Sequence, residues 1–130
     1  MFKRKTEVIL DTNTLLLPGK AIDIFGLLHE TLDEPYRICT HQKVLEELER
    51  LMQGKKKDSF NAKLGYILAK QKALKIITRS SRKHTDDALV EYASKGRRVV
   101  VTQDKALKKR LRDAGVRVLT YRQGKLVFEA

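Results

Sequence analysis

The sequence is poor in cysteine and in long apolar runs, and both shortages exclude classes of protein. Its 130 residues contain a single cysteine, Cys39, which excludes an internal disulfide and a zinc site built from several cysteines. No apolar run approaches the length of about 18 residues that a membrane span requires. The first residues lead into a strand without the apolar core of a signal peptide. We therefore expect a soluble, cytoplasmic protein that does not bind membranes.

Acidic residues are scarce in one part of the chain. Residues 50–83 carry 11 Lys or Arg and one acid, Asp58, which gives a local charge of +10, whereas the remaining residues together carry +2. A lysine-rich surface of the thermophile type is the alternative interpretation, but such surfaces add charges of both signs. The asymmetry indicates contact with a polyanion, and phosphate backbones are the commonest polyanions that a small soluble protein meets.

Aromatic residues are also few, with four Phe, four Tyr and no Trp. They are scattered along the chain, so the sequence does not indicate a platform on which nucleobases stack. A nucleic-acid-binding protein with this composition is expected to contact phosphates. A preference for particular bases cannot be inferred from the sequence.

Short apolar runs alternate with segments of helical periodicity. Strands are predicted at residues 8–10, 36–40, 76–78, 98–102, 116–121 and 126–128, the last as an edge strand after a turn at 123–124. Helices are predicted at about 20–31, 42–52, 58–75, 86–93 and 105–114. This order predicts a three-layer α/β/α sandwich with a central, mainly parallel sheet, formed by residues 1–130 as one domain.

Some predictions concern the details of single helices. In the helix from residue 58, the apolar positions at helical spacing are expected to face the core; they are Phe60, Leu64, Ile67 and Leu68. Thr85 is expected to cap the helix that contains Asp86 and Asp87. The run 15–19 is interpreted as a connection before the helix that starts near Lys20.

Four acids occupy positions that bring them to one edge of the predicted sheet. Asp11 and Asp104 each follow an apolar strand, while Glu47 and Asp86 stand near the start of helices that follow a strand or a loop. The carboxyl ends of the strands in an open α/β sheet form the edge where ligands bind. We therefore expect the four carboxylates to converge there.

Converging carboxylates repel one another unless a multivalent cation holds them together. Oxygen ligands without paired His or Cys indicate a hard cation, Mg²⁺ or Mn²⁺. Next to a basic surface, one or two such ions support the hydrolysis of phosphodiester bonds. The residues alone therefore predict a magnesium-dependent nuclease.

Each acid taken singly also has a purely structural interpretation. An Asp after a strand is often only a helix cap, which applies to Asp11 and Asp104. Glu47 alone would be a solvated helix residue, and Asp86 and Asp87 alone would be partners of a helix dipole. The prediction of a catalytic site rests on the joint placement of these acids.

Four motifs occur in order over nearly the whole chain. They are Val8-Ile9-Leu10-Asp11-Thr12-Asn13, Val44-Leu45-Glu46-Glu47-Leu48, Asp86-Asp87-Ala88-Leu89-Val90-Glu91-Tyr92-Ala93 and Val101-Thr102-Gln103-Asp104. No motif is specific alone, but together they make the chain similar to the PIN-domain nucleases. It resembles in particular the archaeal members grouped with VapC toxins and the PIN proteins of eukaryotic ribosomal RNA processing.

The resemblance implies an endoribonuclease that cleaves single-stranded RNA with one or two Mg²⁺ or Mn²⁺ ions and leaves the 5′-phosphate on the product. By motif, the catalytic and metal-binding acids are Asp11, Glu47, Asp86 and Asp104. Asn13 and Thr102 match the polar neighbours that orient ligands or water in the family. Asp87 is the alternative ligand to Asp86, which is preferred because Leu89 and Ala93 then fall where the family has apolar residues.

RNA is expected to be held by two basic segments, with Lys63 and Lys70 as further candidates. The predicted RNA-binding residues are Lys55, Lys56, Lys57, Arg79, Arg82 and Lys83. The resemblance implies either a toxin held by an antitoxin protein, with homodimerisation, or a nuclease acting on a ribosomal precursor. The sequence does not choose between these two roles.

Two other functions are compatible with parts of the sequence. Residues 11–15 are close to the strand-end motif of haloacid dehalogenase-like phosphatases, but the second acid of that motif is replaced by Asn13 and no separate lysine motif is clear. A non-catalytic protein that binds RNA or assists assembly is the other alternative. The presence of all four acids argues against the loss of catalysis.

Overall fold

The computed structural model describes residues 4–78 and 84–129. Within these ranges the strands are β1 (Thr6–Leu10), β2 (Tyr36–His41), β3 (Lys75–Ile77), β4 (Arg98–Val101), β5 (Arg117–Arg122) and β6 (Lys125–Phe128). The α-helices are α1 (Thr12–Leu16), α2 (Ile24–Thr31), α3 (Gln42–Met52), α4 (Asp58–Gln71), α5 (Thr85–Ala93) and α6 (Lys105–Asp113). A 3₁₀ helix (Leu17–Lys20) connects α1 with the segment before α2.

The strands form one sheet in the order β3-β2-β1-β4-β5-β6. Strands β1 to β5 pair in parallel, and β6 returns antiparallel to β5. Leu10, the last residue of central strand β1, pairs with Thr40 on one side and Val101 on the other. The three central strands therefore end together, and the residues that follow them lie along one edge.

Two apolar cores cover the two faces of the sheet. Val8 and Leu10 point into a cluster that includes buried residues of helices α1 to α4, whereas Ile9 belongs to a second cluster with residues of α5 and α6. This alternation follows from the two-residue period of a strand, and residues 8–10 of β1 are fully buried because both faces are covered. The predicted three-layer α/β/α architecture with a mainly parallel sheet is confirmed.

The buried face of α4 differs from the predicted one. Phe60 is 66% exposed and Ile67 is 40% exposed, while the residues buried on this helix are Asn61, Ala62, Gly65 and Ala69. A Cβ atom placed on Gly65 would lie 2.1 Å from the backbone oxygen of Leu15. The helix therefore turns its small side chains inward, because only these allow its backbone to approach α1 so closely.

The segment after β1 is more helical than predicted. Asp11 caps α1, which begins directly after the strand, so the run 15–19 is not a simple connection. Helix α2 starts at Ile24 rather than near Lys20, because Asp23 caps it through the backbone N–H of Gly26. The strong apolar character of the leucines suits a helix buried under α4.

Cys39 is buried within β2, as expected for a structural strand residue. Burial, with the nearby Glu7 carboxylate as the second cause, raises the pKa of its thiol to about 12. The thiolate, which is the reactive form of cysteine, is therefore disfavoured at neutral pH. In the described residues, no helix is both long enough and apolar enough to cross a membrane.

Candidate active site

Asp11 is a buried carboxylate at the end of the central strand, with 5% of its surface exposed. Its Oδ1 atom accepts a hydrogen bond of 2.8 Å from the backbone N–H of Thr14, and this bond caps α1. Its Oδ2 atom accepts a 2.5 Å hydrogen bond from the Thr102 hydroxyl. Both oxygens are thus oriented by the protein, and further lone pairs remain on each of them.

Asp104 is fixed in the same way after the neighbouring strand β4. Its Oδ1 atom accepts a hydrogen bond of 2.8 Å from the backbone N–H of Leu107, which caps α6. Its own backbone N–H donates to the Thr102 hydroxyl oxygen at 3.1 Å. Thr102 therefore connects the loops that carry Asp11 and Asp104.

Glu47 connects three helices at this edge. It lies on α3 and accepts a 2.7 Å hydrogen bond from the Thr12 hydroxyl in α1. Its other carboxylate oxygen accepts a hydrogen bond from the Thr85 hydroxyl at the start of α5. Thr85 is the first residue of α5 and His84 is the N-cap, so the predicted cap is wrong by one residue. The Thr85 hydroxyl is turned to Glu47 instead.

The two adjacent acids of α5 have different surroundings. Asp86 lines the pocket at the sheet edge together with Asp11, Glu47 and Asp104. Asp87 does not line this pocket, and its Oδ1 atom forms a 2.6 Å ion pair with Arg110 of α6. Asp86 therefore lies in the same pocket as the other three acids, whereas Asp87 does not.

The pocket has a volume of about 230 Å³ and is formed by six elements or their loops. Its lining residues are Asp11, Thr12, Asn13, Leu16, Glu47, Leu51, Asp58, Thr85, Asp86 and Asp104. All four predicted acids and the predicted orienting residue Asn13 are among them. Thr102 lies behind the pocket, fully buried, and acts on it through Asp11.

Two of the acids have raised pKa values. Desolvation is the main cause for Asp11, opposed by its hydrogen bonds from Thr102 and Thr14, and the charge of Asp86 adds repulsion. The pKa of Asp86 is raised first by desolvation and then by repulsion from Asp104 and Glu47. The carboxylates are thus close enough to interact, and a bound cation would relieve this repulsion.

The donor set of the pocket suits a hard cation, since it consists of carboxylate, hydroxyl and amide oxygens. In the described residues, however, no three His, Cys, Asp or Glu side chains are grouped tightly enough to hold a metal ion. Several carboxylate oxygens are turned to protein donors instead, as for Asp11 and Glu47. Binding a metal would therefore require small rotations of these side chains.

A second, wider cavity of about 550 Å³ adjoins the acidic pocket and shares Glu47, Thr85 and Asp86 with it. Its other lining residues are Lys43, Glu46, Arg50 and His84. Both cationic and acidic side chains line this cavity. It offers a path by which a phosphate chain could reach the carboxylates.

The predicted RNA-binding residues are only partly described. Lys55, Lys56 and Lys57 are exposed and directly precede Asp58, which lines the acidic pocket. Lys63 and Lys70 are exposed on α4, and Lys70 lies 5.5 Å from the centre of the Tyr66 ring. The predicted contacts at Arg79, Arg82 and Lys83 fall outside the described residues.

Sequence reasoning missed three residues of this site. Asp58 lines the pocket. It could have been found from the sequence because it is the one acid of the basic segment 50–83. Thr12 and Thr85 orient Glu47 through their hydroxyls. Thr12 follows Asp11 in the first motif and Thr85 precedes Asp86, so adjacency to an acid was the available signal.

Comparison with known proteins gives a consistent result. A family model described as a PIN like domain matches residues 8–124. The curated protein Ribonuclease VapC4 of Methanocaldococcus jannaschii is 31% identical over 126 residues, and the match covers 92% of each chain. A solved structure of the PIN domain endonuclease Utp24 is similar with a TM-score of 0.80 and 26% identity, covering 95% of this chain and 90% of that chain. None of these three matches is a phosphatase, so the comparisons do not favour that alternative.

Proposed function

Because the chain belongs to the family of PIN-like domains, we propose that it is an endoribonuclease that hydrolyses phosphodiester bonds of single-stranded RNA. The observation that carries the proposal is the convergence of Asp11, Glu47, Asp86 and Asp104 in one pocket at the carboxyl edge of the sheet. The names of the two similar proteins, a ribonuclease and an endonuclease, support the same class of reaction.

The proposed cofactor is Mg²⁺ or Mn²⁺, as one or two ions. Asp11, Glu47, Asp86 and Asp104, which line the pocket together, would hold it. When bound, the cation would polarise the phosphoryl group and lower the pKa of water at the site. The pKa of Asp86 is raised first by desolvation and then by repulsion from Asp104 and Glu47, and this repulsion supports the assignment because a divalent cation would compensate the excess negative charge.

Three threonine hydroxyls orient the carboxylates of the pocket. Thr12 and Thr85 hold the two oxygens of Glu47, and Thr102 holds Asp11. Such second contacts keep reacting groups in place without touching the substrate. Asn13 is exposed at the pocket, where its amide would orient the RNA or water.

The substrate would approach over positively charged surface. Lys55, Lys56 and Lys57 lie next to the pocket in sequence, and Lys43 and Arg50 line the adjoining cavity. These side chains would contact phosphates rather than bases, which supports binding with little sequence preference. Arg79, Arg82 and Lys83 are proposed as further contacts.

The biological role is proposed as one of two that use the same chemistry. In a toxin role the partner would be an antitoxin protein, and the chain would form a homodimer. In a processing role the RNA would be a ribosomal precursor. A cytoplasmic location suits both. Co-purification of the native protein, followed by identification of a small protein or of ribosomal precursor RNA, distinguishes them.

The test of the proposed activity uses a matched pair of variants, Asp86→Asn and Asp87→Asn. Loss of Asp86 should reduce cleavage of single-stranded RNA more than about 100-fold, since even groups behind metal ligands contribute 10–100-fold. Asp87→Asn should keep activity within a few-fold, because Asp87 pairs with Arg110 outside the pocket. Equal activity of both variants, or the reverse order, would refute the assignment.

Metal removal gives a second readout that does not depend on turnover. A chelator should abolish cleavage, and Mg²⁺ or Mn²⁺ should restore it. The same ions should raise the melting temperature of the wild type more than that of Asp86→Asn, because ligands that bind only the folded state stabilise it. Cleavage that continues unchanged in chelator would exclude the metal-dependent mechanism, and hydrolysis of a small phosphate ester instead of RNA would favour a phosphatase.

A further inference from the structure

A strongly basic cavity lies at the end of the sheet opposite the acidic pocket. It has a volume of about 400 Å³ and is lined by Arg4, Lys5, Glu7, Arg37, Lys75, Arg97 and Arg98. Six of these seven residues are cationic, so the lining has a formal charge of +5. Most of these cations lie outside residues 50–83, the segment in which the sequence has its excess of basic residues.

The register of the sheet brings these cations together. Glu7 of β1 pairs with Arg37 of β2 and Arg98 of β4, while Lys75 of β3 pairs with Cys39, two residues after Arg37. Paired residues of parallel strands project to the same face of a sheet, and neighbouring strands are about 4.8 Å apart. Four adjacent strands therefore project charged side chains to one face at their amino ends.

Glu7 fixes two of the cations without neutralising the cavity. Its carboxylate forms ion pairs with Lys75 at 2.5 Å and with Arg98 Nε at 2.9 Å, and it accepts a 2.5 Å hydrogen bond from the Tyr92 hydroxyl. Within residues 4–78 and 84–129, no carboxylate lies within ion-pair distance of the other four cations, which are the exposed residues Arg4, Lys5, Arg37 and Arg97. These four are available to an external anion.

The chemistry of the cavity favours phosphates over bases. Arginine guanidinium groups recognise phosphate oxygens with paired donors. One face of the Tyr92 ring is covered by the Arg98 guanidinium at 3.7 Å, and Tyr92 also packs against the second apolar cluster. None of the described residues that line the cavity is aromatic. A nucleotide bound through its base is therefore disfavoured, and a chain of phosphates is favoured.

We propose that this basic cavity binds the phosphate backbone of the RNA substrate at a place remote from the bond that is cleaved. The proposal rests on the proposed function for the identity of the polyanion. Glu7 and Asp11 are separated by four residues of extended chain, roughly 13 Å at 3.3 Å per residue. An RNA that occupies both ends of the sheet must follow the protein surface over at least that distance, so the second contact would select long RNAs.

The test compares binding of a short and a long RNA to the full chain in the presence of a chelator, which separates binding from cleavage. At 3.4 Å per phosphate, a stacked strand of about three nucleotides covers roughly 10 Å, which is less than the separation of the two sites, whereas one of about 40 nucleotides can wrap the molecule. The variant is Arg37→Gln/Arg97→Gln. The matched control is Lys109→Gln/Lys125→Gln, which removes two exposed charges elsewhere. Arg37→Lys/Arg97→Lys keeps the charge.

We expect the Arg-to-Gln pair to weaken binding of the long RNA about tenfold and to reduce its salt slope by about 1.4, the value for two single-strand phosphate contacts. Binding of the short RNA should be unchanged, and the control pair should bind both RNAs as the wild type does. The Lys pair should retain most of the affinity for the long RNA.

Three results would overturn the proposal: unchanged binding of the long RNA, equal weakening of both RNAs, or equal weakening by the control pair. Inorganic pyrophosphate tests the alternative that the cavity binds a small phosphate-containing anion rather than RNA. If pyrophosphate binds the wild type and not the Arg-to-Gln pair while RNA binding is unaffected, the cavity serves a small anion instead. Retention of cleavage by Asp86→Asn would leave these binding results intact and would refute only the catalytic assignment.

Discussion

Thr102 and Asp11 are joined by a hydrogen bond of 2.5 Å between two buried side chains on neighbouring strand ends. The same hydroxyl oxygen accepts the backbone N–H of Asp104 at 3.1 Å. One hydroxyl therefore orients the carboxylate that follows β1 and the loop that follows β4. Every buried polar side-chain atom of the described residues has a partner, and for Asp11 this depends on Thr102.

Thr102→Val should therefore affect both stability and the pH dependence of cleavage. Losing the hydroxyl leaves a buried carboxylate oxygen without its donor, which costs about 1–3 kcal/mol of folding free energy. The pKa of Asp11, already raised by desolvation, rises further because a hydrogen bond to its charged form is lost. The acid limb of the pH–rate profile should shift to higher pH. Thr102→Ser keeps the hydroxyl and should resemble the wild type; an identical shift in both variants would disprove this role.

Gly65→Ala should destabilise the protein by about 1–3 kcal/mol, the usual cost of overpacking. The new methyl group would lie 2.1 Å from the Leu15 backbone oxygen, so α4 and α1 must move apart. Because Asp11 caps α1, catalysis should also decrease. Urea unfolding measures the first effect. Gly54→Ala is the control, since its Cβ meets nothing closer than 3.5 Å, and an equal loss there would contradict the explanation.

Glu7 should contribute stability that disappears in acid. Burial raises its pKa, but hydrogen bonds from Lys75, Tyr92 and Arg98 outweigh burial and lower it to about 2, against an ordinary value of 4.5. Because the folded-state value is depressed, the contribution is complete above pH 4.5 and is lost as the pH falls towards 2. We expect Glu7→Gln to cost about 1–3 kcal/mol at pH 7 and much less near pH 2–3.

Chemical denaturation at a series of pH values tests this expectation. The exposed residue Glu49 on α3 supplies the control variant, Glu49→Gln, whose cost should be small at every pH. A difference between the wild type and Glu7→Gln that stays constant from pH 7 to pH 2 would show that the ion pairs are not the source of the stability.

Neutralising Lys55, Lys56 and Lys57 together to Gln should flatten the salt dependence of RNA binding. Three phosphate contacts to a single strand correspond to a slope change of about 2. Short and long RNAs should both be weakened, because these lysines lie beside the acidic pocket, and the position of cleavage should not change. Replacement of Lys109, Arg122 and Lys125 by Gln controls for net charge. An unchanged slope in the lysine triple variant would refute the assignment.

The position of the acidic pocket could be predicted from the sequence because short apolar runs mark where the strands end. Asp11 and Asp104 follow buried apolar runs, and parallel strands that end in register bring such residues to one edge. The preference for Asp86 over Asp87 also agrees with their placement, since Arg110 pairs with Asp87. That ion pair joins residues of α5 and α6 that are 23 positions apart, and no local pattern contains it.

The face of α4 could not be read from hydrophobicity. Periodicity weights large apolar residues such as Phe60 and Ile67, whereas the packing distance to α1 selects Gly65 and Ala62. The basic cavity could not be predicted from the sequence either. Its cations come from several strands and their flanks, and only the register of the sheet places Arg37 and Arg98 on either side of Glu7.

The double use of Asp11 and Asp104 has an evolutionary consequence. Each caps a helix through a backbone N–H, so replacing either by an apolar residue would cost about 1 kcal/mol of folding stability besides any activity. A descendant that had abandoned catalysis would thus still be under selection to keep both. Asp86 caps no helix. Among relatives of this chain, an acid at the position of Asp86 should therefore indicate catalytic activity better than an acid at the positions of Asp11 or Asp104.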